Sequence, residues 1–303
     1  MIKIRLIITI LFIVLHTHIY TFYQKDIVKL NKGHRDLIRS DLSGTLISNK
    51  VLTKVLLNNS NLSGTEIKFV KFIKSSLFAC YSPGIKINHC SFIETNLSYS
   101  DMRFSTINNN KYIKSNLSGI LFLSSKILNS RFTKSISDKI RVYYSYLFKN
   151  YFYKTRFNHS AFNHDKIIDS IFYSCNLLEV KIESGEIINS NYLMCNFNNA
   201  VIKNIKINSS KFNACKFFKT GFDNIRAENT SFSGSVFWST RLSNSHFINC
   251  NFSGVDFRKA VFIKSTFQNC EFKNAKIDLK YKRFLSSQKV KSYNQIIWVK
   301  NQG

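Results

Sequence analysis

Cys250-Asn251-Phe252-Ser253-Gly254 runs straight into Val255-Asp256-Phe257-Arg258-Lys259: two five-residue units, each with a small residue first, Asn or Asp second and phenylalanine in the centre. Outward from these units in steps of five, a large apolar residue recurs with no insertion or deletion. From Leu37 to Ile277 the step visits 49 positions, of which 46 are Leu, Ile, Val, Met, Phe or Tyr; Ser82, Ser137 and Ala227 are the exceptions. Two residues before each centre, 39 of the 48 positions from Ser40 to Ala275 are Ala, Cys, Gly, Ser, Thr or Val. Neither the ~3.6-residue period of a helix nor the two-residue period of a strand generates this register. Repetition of this kind marks a solenoid.

Units such as Ser60-Asn61-Leu62-Ser63-Gly64, Thr95-Asn96-Leu97-Ser98-Tyr99, Ser115-Asn116-Leu117-Ser118-Gly119 and Cys195-Asn196-Phe197-Asn198-Asn199 resemble the pentapeptide-repeat family, whose pattern is written A(D/N)LXX. The resemblance covers roughly residues 37 to 279. It implies an all-β fold: a right-handed, four-sided parallel β-helix of about twelve coils, with one unit on each side of a square cross-section. The chain departs from the pattern by using Ser, Cys or Thr in place of Ala, and by often lacking Asp or Asn at the second position.

The residues support a twenty-residue coil without the resemblance. Every twentieth residue from Ile47 gives Ile67, Ile87, Ile107, Ile127, Leu147, Ile167, Ile187 and Ile207, then Ala227, Phe247 and Phe267. The next side gives Leu52, Phe72, Phe92, Tyr112, Phe132, Phe152, Phe172, Tyr192, Phe212, Phe232, Phe252 and Phe272. A five-residue period alone would not separate an isoleucine column from an aromatic one, so like side chains stack on like. Parallel ladders spaced ~4.8 Å bring successive rings close enough to stack and make the rod ~55–60 Å long.

One proline and ten glycines in 303 residues are few for a chain that turns every five residues, so its corners must be made without the usual turn residues. Ser82-Pro83-Gly84 puts a polar residue at a centre and a proline where a ladder N–H is expected, which predicts a bulge or kink. Ser137 marks a second weak point. Before the repeats, Lys3 and Arg5 precede the apolar run from Leu6 to Leu15. That order resembles a signal peptide or signal anchor, although the run is short of the roughly twenty residues a membrane span needs. Four regions follow: a signal-like segment, 1–23; an N-terminal cap or linker, 24–36; the solenoid, 37–279; and a basic C-terminal cap or tail, 280–303, carrying Trp298.

No nucleophile elbow, phosphate loop, dinucleotide fingerprint or paired-carboxylate cluster occurs, and a filled interior offers no cleft. The reading is therefore a non-enzyme with no cofactor and no metal site. All seven cysteines (Cys80, Cys90, Cys175, Cys195, Cys215, Cys250, Cys270) fall on the small first position, which makes them structural thiols. Such thiols fit a reducing compartment better than an oxidising one, in tension with the signal-like segment. His89, His159, His164 and His246 fall on outward positions and do not converge; His159 and His164 would need a further ligand, such as Asp165, to hold a metal.

Function is then left to the outward columns. Lys+Arg number 44 against 17 Asp+Glu, a formal +27, which points to an anionic partner, though an AT-rich genome gives the same Ile-Lys-Asn-Phe-Tyr bias passively. Beside the aromatic column lie Lys54, Lys74, Lys114, Lys134 and Lys154, broken by Glu94, with Lys71, Lys111 and Arg131 three residues earlier. These eight cations are the candidate partner-binding residues. A sparser column, Lys86, Lys126, Lys166, Lys206 and Arg226, runs beside the isoleucines.

The resulting expectation is a binding or scaffold protein, exported to the cell envelope or secreted, with an unidentified protein or an anionic membrane surface as partner. A homodimer through one end of the solenoid is a further expectation, and a cytoplasmic location follows if residues 1–23 are only a cap. Two alternatives stand beside it: a secreted virulence effector acting on host membrane or protein, and an intracellular rod binding nucleic acid or topoisomerase. The DNA mimicry known in the family needs an acidic surface, so the net charge disfavours the last.

Overall fold

The computed structural model describes residues 26–300, which leaves the signal-like segment outside the described residues. Within the coils every strand pair is parallel and joins residue i to residue i+20: Ile47 lies beside Ile67, Phe72 beside Phe92, Val142 beside Phe162. Three sides of the coil are sheets. Twelve strands, Leu46–Ser48 to Thr266–Gln268, form the isoleucine side; nine, Val51–Thr53 to Lys211–Asn213, form the aromatic side; eight, Leu121–Leu123 to Val261–Ile263, form the third. On the fourth, successive coils meet through single parallel bridges such as Leu56 to Ser76 and Asn176 to Asn196. The chain is thus a parallel β-helix with four five-residue units per coil.

The core is the column of centres. Of the 49, all but Phe262 are buried, and Tyr281 packs on that ring with centroids 4.5 Å apart. On the aromatic side eleven rings, Phe72 to Phe272, form one unbroken stack with neighbouring centroids 4.4–5.4 Å apart. Each such pair adds ~0.5–1.5 kcal/mol beyond its buried area.

The corners explain the shortage of glycine. Two residues after each centre, from Arg39 to Asn274, all 48 corner residues have positive φ, and only six of them are glycine. A left-handed conformation costs a non-glycine residue about 1 kcal/mol, but the corner N–H donates into the next coil, as from Lys54 to the Ile73 carbonyl at 2.9 Å and from Lys114 to the Thr133 carbonyl at 2.9 Å. Repeated along the rod, these bonds hold the corner even where it bears Phe69 or Met194, although no corner carries Val, Ile, Leu or Thr.

The replacement of Ala by Ser and Thr also has a physical reason. Ser115 Oγ accepts the Thr95 N–H at 3.2 Å and donates to the Phe92 carbonyl at 2.9 Å, so its hydroxyl ties two coils together inside the rod. Asn110 does both with its amide, accepting from the Cys90 N–H at 2.7 Å and donating to the Ile87 carbonyl at 2.8 Å. Cysteines do so more weakly: Cys175, Cys195 and Cys215 donate Sγ–H to the carbonyls of Phe152, Phe172 and Tyr192 at 3.2–3.3 Å. All seven thiols are buried and unbridged, and burial pushes Cys80 up to about 12.

At Pro83 the expected bulge does not form. Bridges run in register from Asn61 through Tyr81 to Asp101, and the Gly64 N–H still reaches the Pro83 carbonyl at 2.9 Å. In turn-type units the N–H after the centre does not serve the ladder: Ser63 and Ser98 donate theirs to the side chains of Asn61 and Asn96, both at 3.1 Å. Proline deletes a donor the ladder never uses, and with Gly84 at φ 70° it makes a favourable turn pair. Ser137 also keeps register, its N–H bonded to the Arg156 carbonyl at 2.7 Å, but it leaves an enclosed void of ≈ 20 Å³ against Leu117 and Phe157.

Both described ends are covered. Residues 26–31 are helical and bury Leu30 against the first coil. After Ile277 the chain forms a 3-10 turn, Leu279–Tyr281, and a short helix, Lys282–Ser286; strand Ile297–Val299 then pairs with Lys276–Asp278, Trp298 beside Ile277. Leu285 and Ile296 are buried there, so the basic tail caps the last coil and hides its open edge.

Candidate anion-binding face

The five candidate lysines of the corner column owe their placement to the left-handed corner. Lys54, Lys74, Lys114, Lys134 and Lys154 have φ of 49–56° and stand exposed along one edge of the aromatic side. Lys71, Lys111 and Arg131 open strands Lys71–Ile73, Lys111–Ile113 and Arg131–Thr133 on the same side, and are exposed too. Because pairing is i to i+20, Lys111 and Arg131 are direct neighbours across the ladder, while Ser91 separates Lys71 from Lys111. The structure therefore gathers all eight cations on one side of the rod, in two rows flanking a single strand position.

Few counter-charges reach them. Glu94 sits within the corner row and approaches Lys74 at 3.9 Å. Arg131 lies over the Tyr151 ring at 4.5 Å, and Lys154 over Tyr153 at 5.4 Å, contacts that orient the cations without neutralising them. The isoleucine side differs: Glu66 pairs with Lys68 at 2.7 Å, Glu186 with Lys166 at 3.3 Å, and Glu228 with Arg226. Like charges one coil apart repel by roughly 1 kcal/mol in water and less in salt. An anion laid along the aromatic side relieves that repulsion.

Between the two basic rows lies a feature that reading only the charged columns passes over. The third residue of each strand points outward in register: Ile73, Ile93, Ile113, Thr133, Tyr153, Tyr173, Leu193. All are half-buried against one another, and the rings of Tyr153 and Tyr173 stack at 5.7 Å. The signal was available in the sequence, since every twentieth residue from Ile73 spells the same column.

The histidines do not converge on one site. His89 stacks on Phe69 at 5.1 Å, His164 on Tyr144 at 4.6 Å, and His159 meets Glu179 at 3.0 Å. Asp165, which follows His164 in sequence, points into the rod and accepts the Ser145 N–H at 2.7 Å, so it does not join them. Among the described residues no three His, Cys, Asp or Glu side chains cluster as a metal would require, and no helix is long and apolar enough to cross a membrane.

A family profile for pentapeptide repeats matches residues 240–277 in eight copies. No curated protein matches the chain by sequence. Among solved structures, HetL, a pentapeptide repeat protein involved in heterocyst differentiation regulation in the cyanobacterium Nostoc, is 12% identical with a TM-score of 0.35, over 81% of this chain and 94% of that one. QnrB1, a plasmid-mediated fluoroquinolone resistance protein, is 15% identical with a TM-score of 0.23, over 78% and 89%. The A-module of the Azotobacter vinelandii mannuronan C-5 epimerase AlgE4 is 7% identical with a TM-score of 0.41, over 86% and 88%.

Proposed function

The chain is a pentapeptide-repeat protein, and on that premise we propose that it is a non-catalytic binding or scaffolding rod whose aromatic side engages an anionic partner. The single observation behind this reading is the convergence of Lys54, Lys71, Lys74, Lys111, Lys114, Arg131, Lys134 and Lys154 on one side with only Glu94 among them. A solenoid whose centres are its own buried side chains has no room to enclose a substrate. Its recognition chemistry is what it displays outside. The cations are laid out at the repeat of the ladder, so they match an extended negative surface better than a single small anion.

Reversing four of the lysines tests it. Lys54, Lys74, Lys114 and Lys134 all replaced by Glu should abolish salt-sensitive binding to anionic liposomes and to nucleic acid, while the fold, read by circular dichroism, stays intact because all four side chains are exposed. Unchanged binding to both would remove the basis of the proposal.

Export belongs to the same proposal and rests on Lys3, Arg5 and the apolar run to Leu15. Fractionation of cells producing the full chain, beside one starting at Gln24, should find the full chain in the envelope or medium and the shortened one in the cytosol. If both remain cytosolic, the export reading falls and the binding reading stands.

A further inference from the structure

The apolar stripe and the basic rows overlap along the rod, the rows ending at Arg131 and Lys154 and the stripe at Leu193. The strand column that holds Ile73, Ile93, Ile113, Tyr153, Tyr173 and Leu193 turns polar beyond them, as Asn213, Ser233, Ser253 and Lys273. The corner row likewise loses its lysines after Lys154, becoming Ser174, Met194, Ala214, Gly234 and Gly254. Had the lysines been only a compositional bias, the two columns would have no reason to end within two coils of each other. By the ladder spacing the stripe is ~29 Å long, and by the strand rise the band from one basic row to the other is ~10 Å wide. At its far end, where the lysines have stopped, Ile171 and Met194 stand in the two flanking rows and are 39% and 56% exposed.

This surface has the makeup of an interfacial binder laid out on a sheet: aliphatic and tyrosine side chains in the middle, long flexible cations on both flanks. Its chemistry discriminates between anionic partners. A single-stranded nucleic acid needs free ring faces on which to stack its bases, but Tyr153 and Tyr173 stack on each other, Arg131 covers Tyr151, and Ile73, Ile93, Ile113, Thr133 and Leu193 fill the rest of the line. A folded acidic protein would be held by discrete pockets and anchors, whereas the same side-chain types here repeat at each coil. A fluid anionic bilayer matches a flat, repeating line, because its headgroups rearrange to meet the lysines while the stripe meets the boundary of the acyl chains.

We propose that the aromatic side docks lengthwise on an anionic phospholipid bilayer, with Ile73, Ile93, Ile113, Tyr153, Tyr173 and Leu193 seated at the headgroup boundary and the two cationic rows paired with lipid phosphates and carboxylates. This rests on the anionic-partner reading above and names the partner. The two can fail separately.

The test uses the full chain with Tyr173→Trp as a reporter on the face itself, so that insertion of residues 6–15 does not mask the result. Phosphatidylcholine vesicles containing phosphatidylserine should shift the reporter's emission to the blue, and lipids brominated on the upper acyl chain should quench it, relative to the chain without the reporter; pure phosphatidylcholine should do neither. Ile73→Thr, Ile93→Thr and Ile113→Thr made together keep every cation and use a residue the column already carries at Thr53 and Thr133. This variant should lose the shift and quenching and bind at least about tenfold more weakly. If it keeps both while the lysine reversal loses binding, the stripe does not enter lipid and the bilayer proposal is overturned, leaving the anionic-partner reading in place. Retention of nucleic acid or a polyanionic protein, with no response to the vesicles, overturns it in the same way.

Discussion

Replacing Phe172 by alanine is expected to cost about 3–5 kcal/mol of stability, the range for emptying a fully buried phenylalanine site. Phe172 is 1% exposed in the middle of the aromatic stack, with ring centroids 4.5 Å from Phe152 and 4.4 Å from Tyr192. Truncation removes both stacks and leaves a hole that the neighbouring coils cannot close, because each is held in register by backbone bonds above and below. In a solenoid each coil contacts only its neighbours, so the loss should uncouple the two halves of the rod as well as lower its stability. Urea denaturation followed by tryptophan emission, from Trp238 and Trp298 in the C-terminal half, should show a lower midpoint and a broader transition. Phe218→Ala, on an outward half-buried position with its ring tilted beside Trp238 at 5.4 Å between centroids, should cost under about 1 kcal/mol and serves as the control. Equal losses for the two would contradict the assignment of the aromatic column as the core.

Asp165→Asn should stabilise the protein, and increasingly so as pH rises. Asp165 occupies a small inward position and is buried; its Oδ1 accepts the Ser145 N–H, while Oδ2 is enclosed without a hydrogen-bond partner. Burial outweighs its backbone hydrogen bonds and pushes the carboxyl up to about 8, well above the usual carboxylate range. The folded state therefore holds a proton on Asp165 at neutral pH that the unfolded chain has already released. The contribution of Asp165 to stability is greatest below about pH 4, falls as pH climbs toward 8, and stays low above it, at about 1.4 kcal/mol per pH unit while the difference in protonation lasts. Asn110 shows the alternative, a side-chain amide that accepts and donates in the same setting. Parent and variant should unfold at similar urea concentrations near pH 4 and diverge by several kcal/mol near pH 8.5. A difference that does not change with pH would mean that Asp165 is ionised in the folded state. The position is also crowded: a Cβ on Gly185 one coil later would lie 2.5 Å from the Asp165 carbonyl oxygen, so the glycine accommodates the coil beneath it.

The parts of this architecture that could be read from the residues are those that repeat strictly. Centres, small inward positions and the separation of isoleucine from aromatic columns followed from position modulo five and twenty, because a side chain pointing into a stacked coil has no choice of neighbour. The corners were not legible. Their left-handed backbone is held by hydrogen bonds to the next coil and leaves only a partial trace in residue type: asparagine, lysine and glycine are frequent and Val, Ile, Leu and Thr are absent, yet Phe69 and Met194 also serve. Pro83 misled for a related reason: the rule against proline in strands presumes that its N–H belongs to the ladder, and in a turn-type unit that donor goes to a side chain instead. For the candidate face, the charged rows were found in the sequence because charge stands out, whereas Ile73 to Leu193 looked like ordinary strand residues until their outward direction was known.

Net charge alone would bind anions anywhere on this rod, whereas a site on the aromatic side confines binding to that side, and a charge-matched comparison separates the two most directly. Lys54, Lys74, Lys114 and Lys134 replaced by Glu, against Lys86, Lys126, Lys166 and Lys206 replaced by Glu, each remove eight units from the same +27 and change only exposed residues. In vesicle co-sedimentation with phosphatidylserine, the first set should abolish binding and the second should leave most of it. Equal loss from both sets would contradict a site on the aromatic side and return the basic surface to a diffuse effect of net charge.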